Sequence, residues 1–332
     1  METLGSMQAA GSVAVCRLLK QVATSVLFPN GPHMVHSRTN RREIEGFRML
    51  TRQKLLLTML AAAGRPVNRM ELTKWAFLLR QTSQEAANAS FYDFVPYHYG
   101  PFSFSLYQEI GKLQEQGYVE ERGDSHWMLG NVEVSTPLDQ QLRFQAERVV
   151  RTHRDMSLES LLDNVYRQYP AFTVNSRRQQ LAVRKTAPLA VYTSGYEGLS
   201  VDAFLNRLVT TGVKHLVDVR RNPVARRYGF HKSTLNRLCE SLEIRYTHVP
   251  ELGIESEKRQ ELNNQSDYDR LFREYTATTL SRELDAVAKV ATFVKEAPSV
   301  LVCMECQPSS CHRSHLAKQV AEQTGMKINH LV

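Results

Sequence analysis

The chain has 332 residues, 42% hydrophobic and 23% charged, with a formal net charge of +8. That length holds about two domains of roughly 100–200 residues each. No apolar run approaches the roughly 20 residues needed to cross a bilayer, so no membrane partner is expected. Five cysteines in a chain of this size do not make a disulfide framework, and a reducing, cytoplasmic compartment is the expectation. The positive balance suits a polyanionic partner such as DNA.

Residues 1–47 differ from the rest. Glu2 is their only acid before Glu43, and small residues punctuate the stretch. "VAVCRLLKQVATSVLF" has a signal-like flavour, but Arg17 and Lys20 interrupt its apolar core. Met34 offers a second possible start. The expectation is a flexible, basic extension.

Residues 48–136 read as a first domain. "TRQKLLLTMLAAAG" spaces Leu55, Leu56, Met59 and Leu60 at helical intervals, and Gly64-Arg65-Pro66 ends that helix. "NRMELTKWAFLLRQ" repeats the pattern with Met70, Trp75, Leu78 and Leu79. A third helix is expected from about Ser103 to Gln116, capped by Gly117. A strand, the Arg122-Gly123-Asp124 turn and a second strand follow. Three helices and a hairpin make a winged-helix order. The stretch from Tyr99 to Val119, "YGPFSFSLYQEIGKLQEQGYV", also resembles the Panacea-type domain found in some antitoxins. That resemblance suggests a role in defence against foreign DNA. A recognition helix is usually basic, yet Lys112 sits here between Glu109 and Glu115, and the wing carries Glu120, Glu121 and Asp124. Basic residues lie elsewhere, at Arg41, Arg42, Arg52, Lys54, Lys74 and Arg80. DNA contact and protein docking both stay open for this domain.

Residues 137–188 read as a helical and basic linker. Two amphipathic segments end at Pro170, and "NSRRQQLAVRKTAP" has no evident core of its own.

From residue 189 to 332 the texture is α/β. "LAVYTSGYEG" is a buried strand entering a turn, and Ser200 opens an amphipathic helix. "VKHLVDV" is a strand ending near Asp218, "FHKSTLNRLCESLE" a helix and "IRYTHV" a third strand. "PSVLVCME" is a later strand before a helix in "SSCHRSHLAKQVAEQTG". Strands alternating with helices predict a parallel sheet with flanking helices, and ligands of such sheets gather beyond the carboxyl ends of the strands. Tyr196 and Glu197, Asp218 to Arg227, His248 and Glu251, and Cys303 to Arg313 all fall there.

"YTSGYEGLSVDAFLNRL", "LVDVRRNPVARRYGFHKSTL", "IRYTHVPELG" and "VCMECQPSSCHRSHLA" together resemble the domain of unknown function 488 family over nearly all of residues 190 to 320. The family pattern fits at Gly195 to Gly198, Asp218 to Arg220, Pro223, Arg226, Gly229, Phe230, Glu251 to Gly253, Cys303, Glu305 and Cys311 to Arg313. The resemblance implies no reaction, so the residues must supply one.

Zinc could use Cys303, Cys306, Cys311 and His312. Against it, adjacent residues 311 and 312 are expected to point apart, and no cofactor is assigned. A thiol nucleophile would need a glycine-rich cradle that the loop after Cys306 lacks. Buried cysteines also serve simply as packing. The remaining reading is a site of carboxylates and arginines. In it Asp218, Glu197, Glu305 and Tyr196 are the catalytic candidates, with the Asp218 carboxylate pointing into the mouth of the sheet. Arg220, Arg221, Arg226, Arg227, Lys232, His248, His312 and Arg313 would bind substrate, and Tyr228 and Phe230 would stack on a base. Such a site suits a DNA glycosylase that leaves an abasic site, since one carboxylate can stabilise an oxocarbenium-like state. The similarity to nucleoside deoxyribosyltransferases is one of fold alone. A metal-dependent nuclease and a non-enzymatic DNA- or protein-binding regulator are the alternatives. Oligomeric state is not legible.

Overall fold

The computed structural model describes residues 49–132, 138–255, 257–259, 262 and 264–332. The expected extension at 1–47 lies outside them, Arg41 and Arg42 included. The chain forms two compact units, residues 49–92 with 102–168, and residues 93–101 with 169–332. No helix among the described residues is long and apolar enough to cross a membrane.

The first unit is mainly helical. It contains α1 (Thr51–Ala63), α2 (Arg69–Thr82), α3 (Gln84–Asn88), α4 (Phe104–Glu115), α5 (Gln140–His153) and α6 (Leu158–Gln168). The expected third helix is α4, which starts where the Ser103 hydroxyl accepts from the Leu106 amide. The expected hairpin is β4 (Val119–Arg122) with β5 (His126–Leu129), and a two-residue strand β1 (Val67–Asn68) pairs with β5 to give the order β1-β5-β4. The two helices read as linking, α5 and α6, belong to this unit. Leu142, Ala146, Val149 and Val150 of α5, with Leu161, Leu162, Val165 and Tyr166 of α6, are buried, and both helices pack on α2. Lys74 is buried, and desolvation lowers its pKa to about 7. Arg52 pairs with Glu109 of α4 at 2.5 Å.

The second unit is α/β. The sequence-predicted strands are β6 (Val191–Gly195), β7 (His215–Asp218), β8 (Arg245–His248) and β9 (Ser299–Cys303), and the structure adds β10 (Ile328–Leu331). All five run parallel in the order β10-β6-β9-β7-β8. Burial sorts them. Every residue of β6, β9 and β7 is buried, whereas β8 and β10 are partly exposed, as central and edge strands should be. Its helices are α7 (Val201–Thr211), α8 (Lys232–Ser241), α9 (Gln265–Tyr275), α10 (Leu284–Glu296) and α11 (Arg313–Thr324). Leu316, Ala317 and Val320 of α11 join Val287, Val290 and Val294 of α10 in one core with Val191, Val217 and Leu301 of the strands. Residues 93–101 contribute β2 (Val95–Tyr97) and most of β3 (Gly100–Phe102). The Ser200 hydroxyl that caps α7 donates to Asp93 at 2.7 Å.

Candidate active site at the carboxyl ends of the parallel strands

The connection leaving β7 runs to β8 at one edge, while the one leaving β9 runs toward β10 at the other. The carboxyl ends of β7 and β9 therefore flank a reversal of strand order, the place where open parallel sheets bind ligands. Register sets which residues meet there. Gly195 lies opposite Cys303, and Asp218 opposite Val302 on one side and His248 on the other.

At the end of β7 the polar groups satisfy one another. Asp218 is fully buried and takes the Arg220 guanidinium on both oxygens, at 2.8 and 2.5 Å. It also accepts from the Arg220 amide at 3.1 Å and the Tyr246 hydroxyl at 2.7 Å. Arg220 completes its fork on the Tyr196 hydroxyl and the Phe230 carbonyl, both at 2.9 Å. Burial pulls the Arg220 pKa down, but the paired carboxylate outweighs it and raises the value overall. Burial, with Asp218 adding to it, raises the Tyr246 hydroxyl. The expectation that Asp218 points into the mouth is corrected: the short turn to Arg220 folds the cation back onto it, and its oxygens face protein.

At the end of β9 the arrangement is different. The Cys303 and Cys311 thiols each reach Glu305 Oε2 at 3.0 Å. The His312 Nδ1 lies 3.8 Å from the first sulfur and 3.9 Å from the second. His312 Nε2 faces the Val219 carbonyl at 3.2 Å, so it carries a proton, and in the neutral imidazole Nδ1 presents a lone pair toward the sulfurs. Arg259 donates to the other Glu305 oxygen at 2.8 Å. The Cys311 thiol and His312 draw the Cys303 pKa well below its usual value despite burial, whereas burial pushes Cys311 up. Burial also raises the Glu305 carboxyl, and Cys303 raises His312 against its desolvation. The expectation that residues 311 and 312 diverge is corrected too. Cys311 is extended (φ −141°) and His312 turns helical (φ −58°), and that bend brings both side chains to one point. Cys306 does not join them. Its amide instead donates to the Glu197 carboxylate at 3.0 Å.

The remaining sequence-predicted residues divide into positioning groups and exposed ones. Arg313 is fully buried and clamps the loop after β9 through the carbonyls of Glu305 (2.5 Å) and Cys306 (2.9 Å). Phe230 is buried in a stack on Tyr196, centroids 4.0 Å apart and planes 12° apart, so it is not open to a base. Tyr228 is half-buried, its hydroxyl without a hydrogen-bond partner among the described residues. His248 faces the Arg220 carbonyl at 2.9 Å. Glu197, Arg221, Arg226, Arg227 and Lys232 are exposed.

Two tight contacts hold the rim. A Cβ on Gly195 would sit 1.9 Å from the Glu305 carbonyl, so the loop after β9 lies directly on the end of β6. Gly229 adopts φ +92°, and a Cβ there would meet Val201 at 2.4 Å. The arginine-bearing loop is thereby held against the start of α7, which follows the turn that carries Tyr196 and Glu197. Sequence reasoning missed Tyr246 and Arg259. Tyr246 reaches Asp218 only through strand register, and nothing local to Arg259 indicates Glu305.

Residues 200–320 match the model of a family described as Domain of unknown function DUF488. The matched span lies within the C-terminal unit and is similar to that family, with Tyr196 and Glu197 just ahead of it. No curated protein and no solved structure matches the chain.

Proposed function

We propose that the C-terminal domain is a hydrolase acting on DNA, cleaving the N-glycosidic bond of a base to leave an abasic site. The observation that carries this reading is the stack of Phe230 on Tyr196, with Arg220 bridging both. It fastens the loop bearing exposed Arg226 and Arg227 to Tyr196, whose chain neighbour Glu197 is exposed as well. Phosphate-binding cations and an anion for a developing oxocarbenium centre then share one rim. Glu197 is the stabilising carboxylate, oriented by the Cys306 amide. Asp218 acts through Arg220 as a positioning residue for Tyr196. His231, Lys232, Tyr246 and His248 line a cleft of about 500 Å³ that would take a flanking nucleotide.

The test incubates the full chain with modified and unmodified DNA, with and without EDTA, followed by hot alkali. Strand breakage only after alkali is the expected result. Glu197→Gln should lower the rate on the order of 10²–10³-fold while DNA affinity holds. Full activity of Glu197→Gln would sink the assigned role, and no reaction with any DNA would sink the reading. One observation favours a second reading, metal-assisted phosphodiester cleavage: two sulfurs and an imidazole nitrogen converge at the end of β9. Direct nicking that EDTA stops would select it.

A further inference from the structure

The donors at the end of β9 form a set of their own. The ligand-capable atoms of Cys303, Cys311 and His312 all lie within 4.8 Å of one another, and all three residues are buried. We infer that these three side chains bind one zinc-type divalent cation, with Glu305 Oε2 as the fourth ligand. The inference goes beyond the proposed reaction and holds whether or not the substrate is DNA.

Three features argue for it. The first is shape. Tetrahedral zinc with sulfur at about 2.3 Å and nitrogen at about 2.0 Å separates those ligands by about 3.6 Å. The sulfur-to-nitrogen distances here are 3.8 and 3.9 Å, and Glu305 Oε2 stands 3.0 Å from each sulfur. Loading needs little more than a slight spreading of the carboxylate.

The second feature is the outer layer. His312 gives its Nε2 proton to the Val219 carbonyl, and this selects the tautomer whose Nδ1 can bind a cation. The Tyr275 ring meets His312 edge-on at 5.4 Å and restricts its rotation. Arg259 holds Glu305 by the other oxygen, leaving Oε2 aimed at the sulfurs.

The third is charge. Two thiolates and one carboxylate around a divalent ion leave one net negative charge, and the Arg259 guanidinium lies against it. Binding holds both sulfurs as thiolates and releases to solvent whatever protons they carried. Cys306 and Cys239 lie outside the set. Cys306 contributes only its backbone amide to Glu197, and Cys239 is buried on α8.

The experiment measures metal content of the full chain purified without chelator, then titrates the metal-free protein with Co²⁺. Expected are one equivalent of metal and a thiolate-to-cobalt charge-transfer band that zinc abolishes. Cys311→Ser and His312→Gln should each weaken binding at least 100-fold, while Cys306→Ser and Cys239→Ser retain one equivalent. If a ligand variant does not fold, the wild-type cobalt spectrum decides alone, because four-coordinate sulfur ligation has its own visible bands. Absence of the charge-transfer band in reduced wild-type protein would overturn the inference. So would full binding by folded Cys311→Ser. DNA cleavage is not scored, so failure here stays distinct from failure of the glycosidic reading.

Discussion

The ends of β7 and β9 are neighbours in one sheet, yet they handle buried polar groups in opposite ways. Around Asp218 donors and acceptors alternate: guanidinium, carboxylate, two phenols and a backbone carbonyl match one another. Such a network is complete, and its charge serves to position Tyr196 and the arginine loop. Around Cys303 the atoms that converge are sulfur, sulfur, imidazole nitrogen and carboxylate oxygen, all with lone pairs facing inward. Only protons or a cation can reconcile them. The lesson is that burial of charge marks chemistry where lone pairs face one another, and architecture where they face donors.

The largest expected effect would break that comparison on the β7 side. Arg220→Met leaves Asp218 buried and unpaired, and should cost about 3–5 kcal/mol of stability in a denaturant titration. Adding Asp218→Asn should restore part of the loss. A cost under about 1 kcal/mol would show that water reaches Asp218 and that the two ends are alike.

Next comes the contact that joins the loop after β9 to the end of β6. Gly195→Ala would place a methyl 1.9 Å from the Glu305 carbonyl. The loop after β9 must move, at a cost of about 1–3 kcal/mol. Thermal melting should show the loss, and cobalt affinity should fall with it.

A smaller effect sharpens the contrast with a titratable group away from both ends. His215, at the start of β7, is held between Thr247 and Ser299 against the Phe293 ring. Burial, aided by Arg245, lowers its pKa from 6.5 to about 4. Between those values the unfolded chain binds the extra proton, so stability is lost as pH falls from about 6.5 to about 4. The loss should be roughly 2 kcal/mol with allowance for solvent screening. Comparing wild type with His215→Gln by denaturation across that range checks it, since the variant should lack this slope.

The smallest stability effect belongs to the exposed loop. Arg226→Ala with Arg227→Ala should change stability by less than about 0.5 kcal/mol. DNA affinity should still drop, and its salt dependence should flatten by roughly one unit of slope per lost contact. An unchanged slope would make the loop mere solvated surface.

Much of the sheet was legible because a buried parallel strand announces itself by a short apolar run, as β6, β7 and β9 do, while β8 was read from the β-prone alternation of "IRYTHV". β10 was not. "INHL" alternates polar and apolar residues at an edge and lacks that run. Helices α9 and α10 were likewise not read, although their buried faces support the core. Of the site, the strand-end positions of Tyr196, Asp218, Cys303 and Glu305 were readable, but the partners of their side chains were not.

The sequence by itself determined that the polar motifs would collect at one edge. Successive parallel strands all end on the same side of their sheet, so residues following each strand must meet there. It also determined the net positive charge and the exposed arginines. Only the tertiary structure decided what those motifs do to one another. Register placed Tyr246 on Asp218, and a bend between Cys311 and His312 aimed two neighbours at one point. Spacing had grouped Cys306 with the other cysteines, but the backbone sent its amide to Glu197 instead. The physical reason is that strand ends follow from a hydrophobic period readable along the chain, whereas lone-pair directions depend on dihedral angles and cross-strand neighbours that no local pattern encodes.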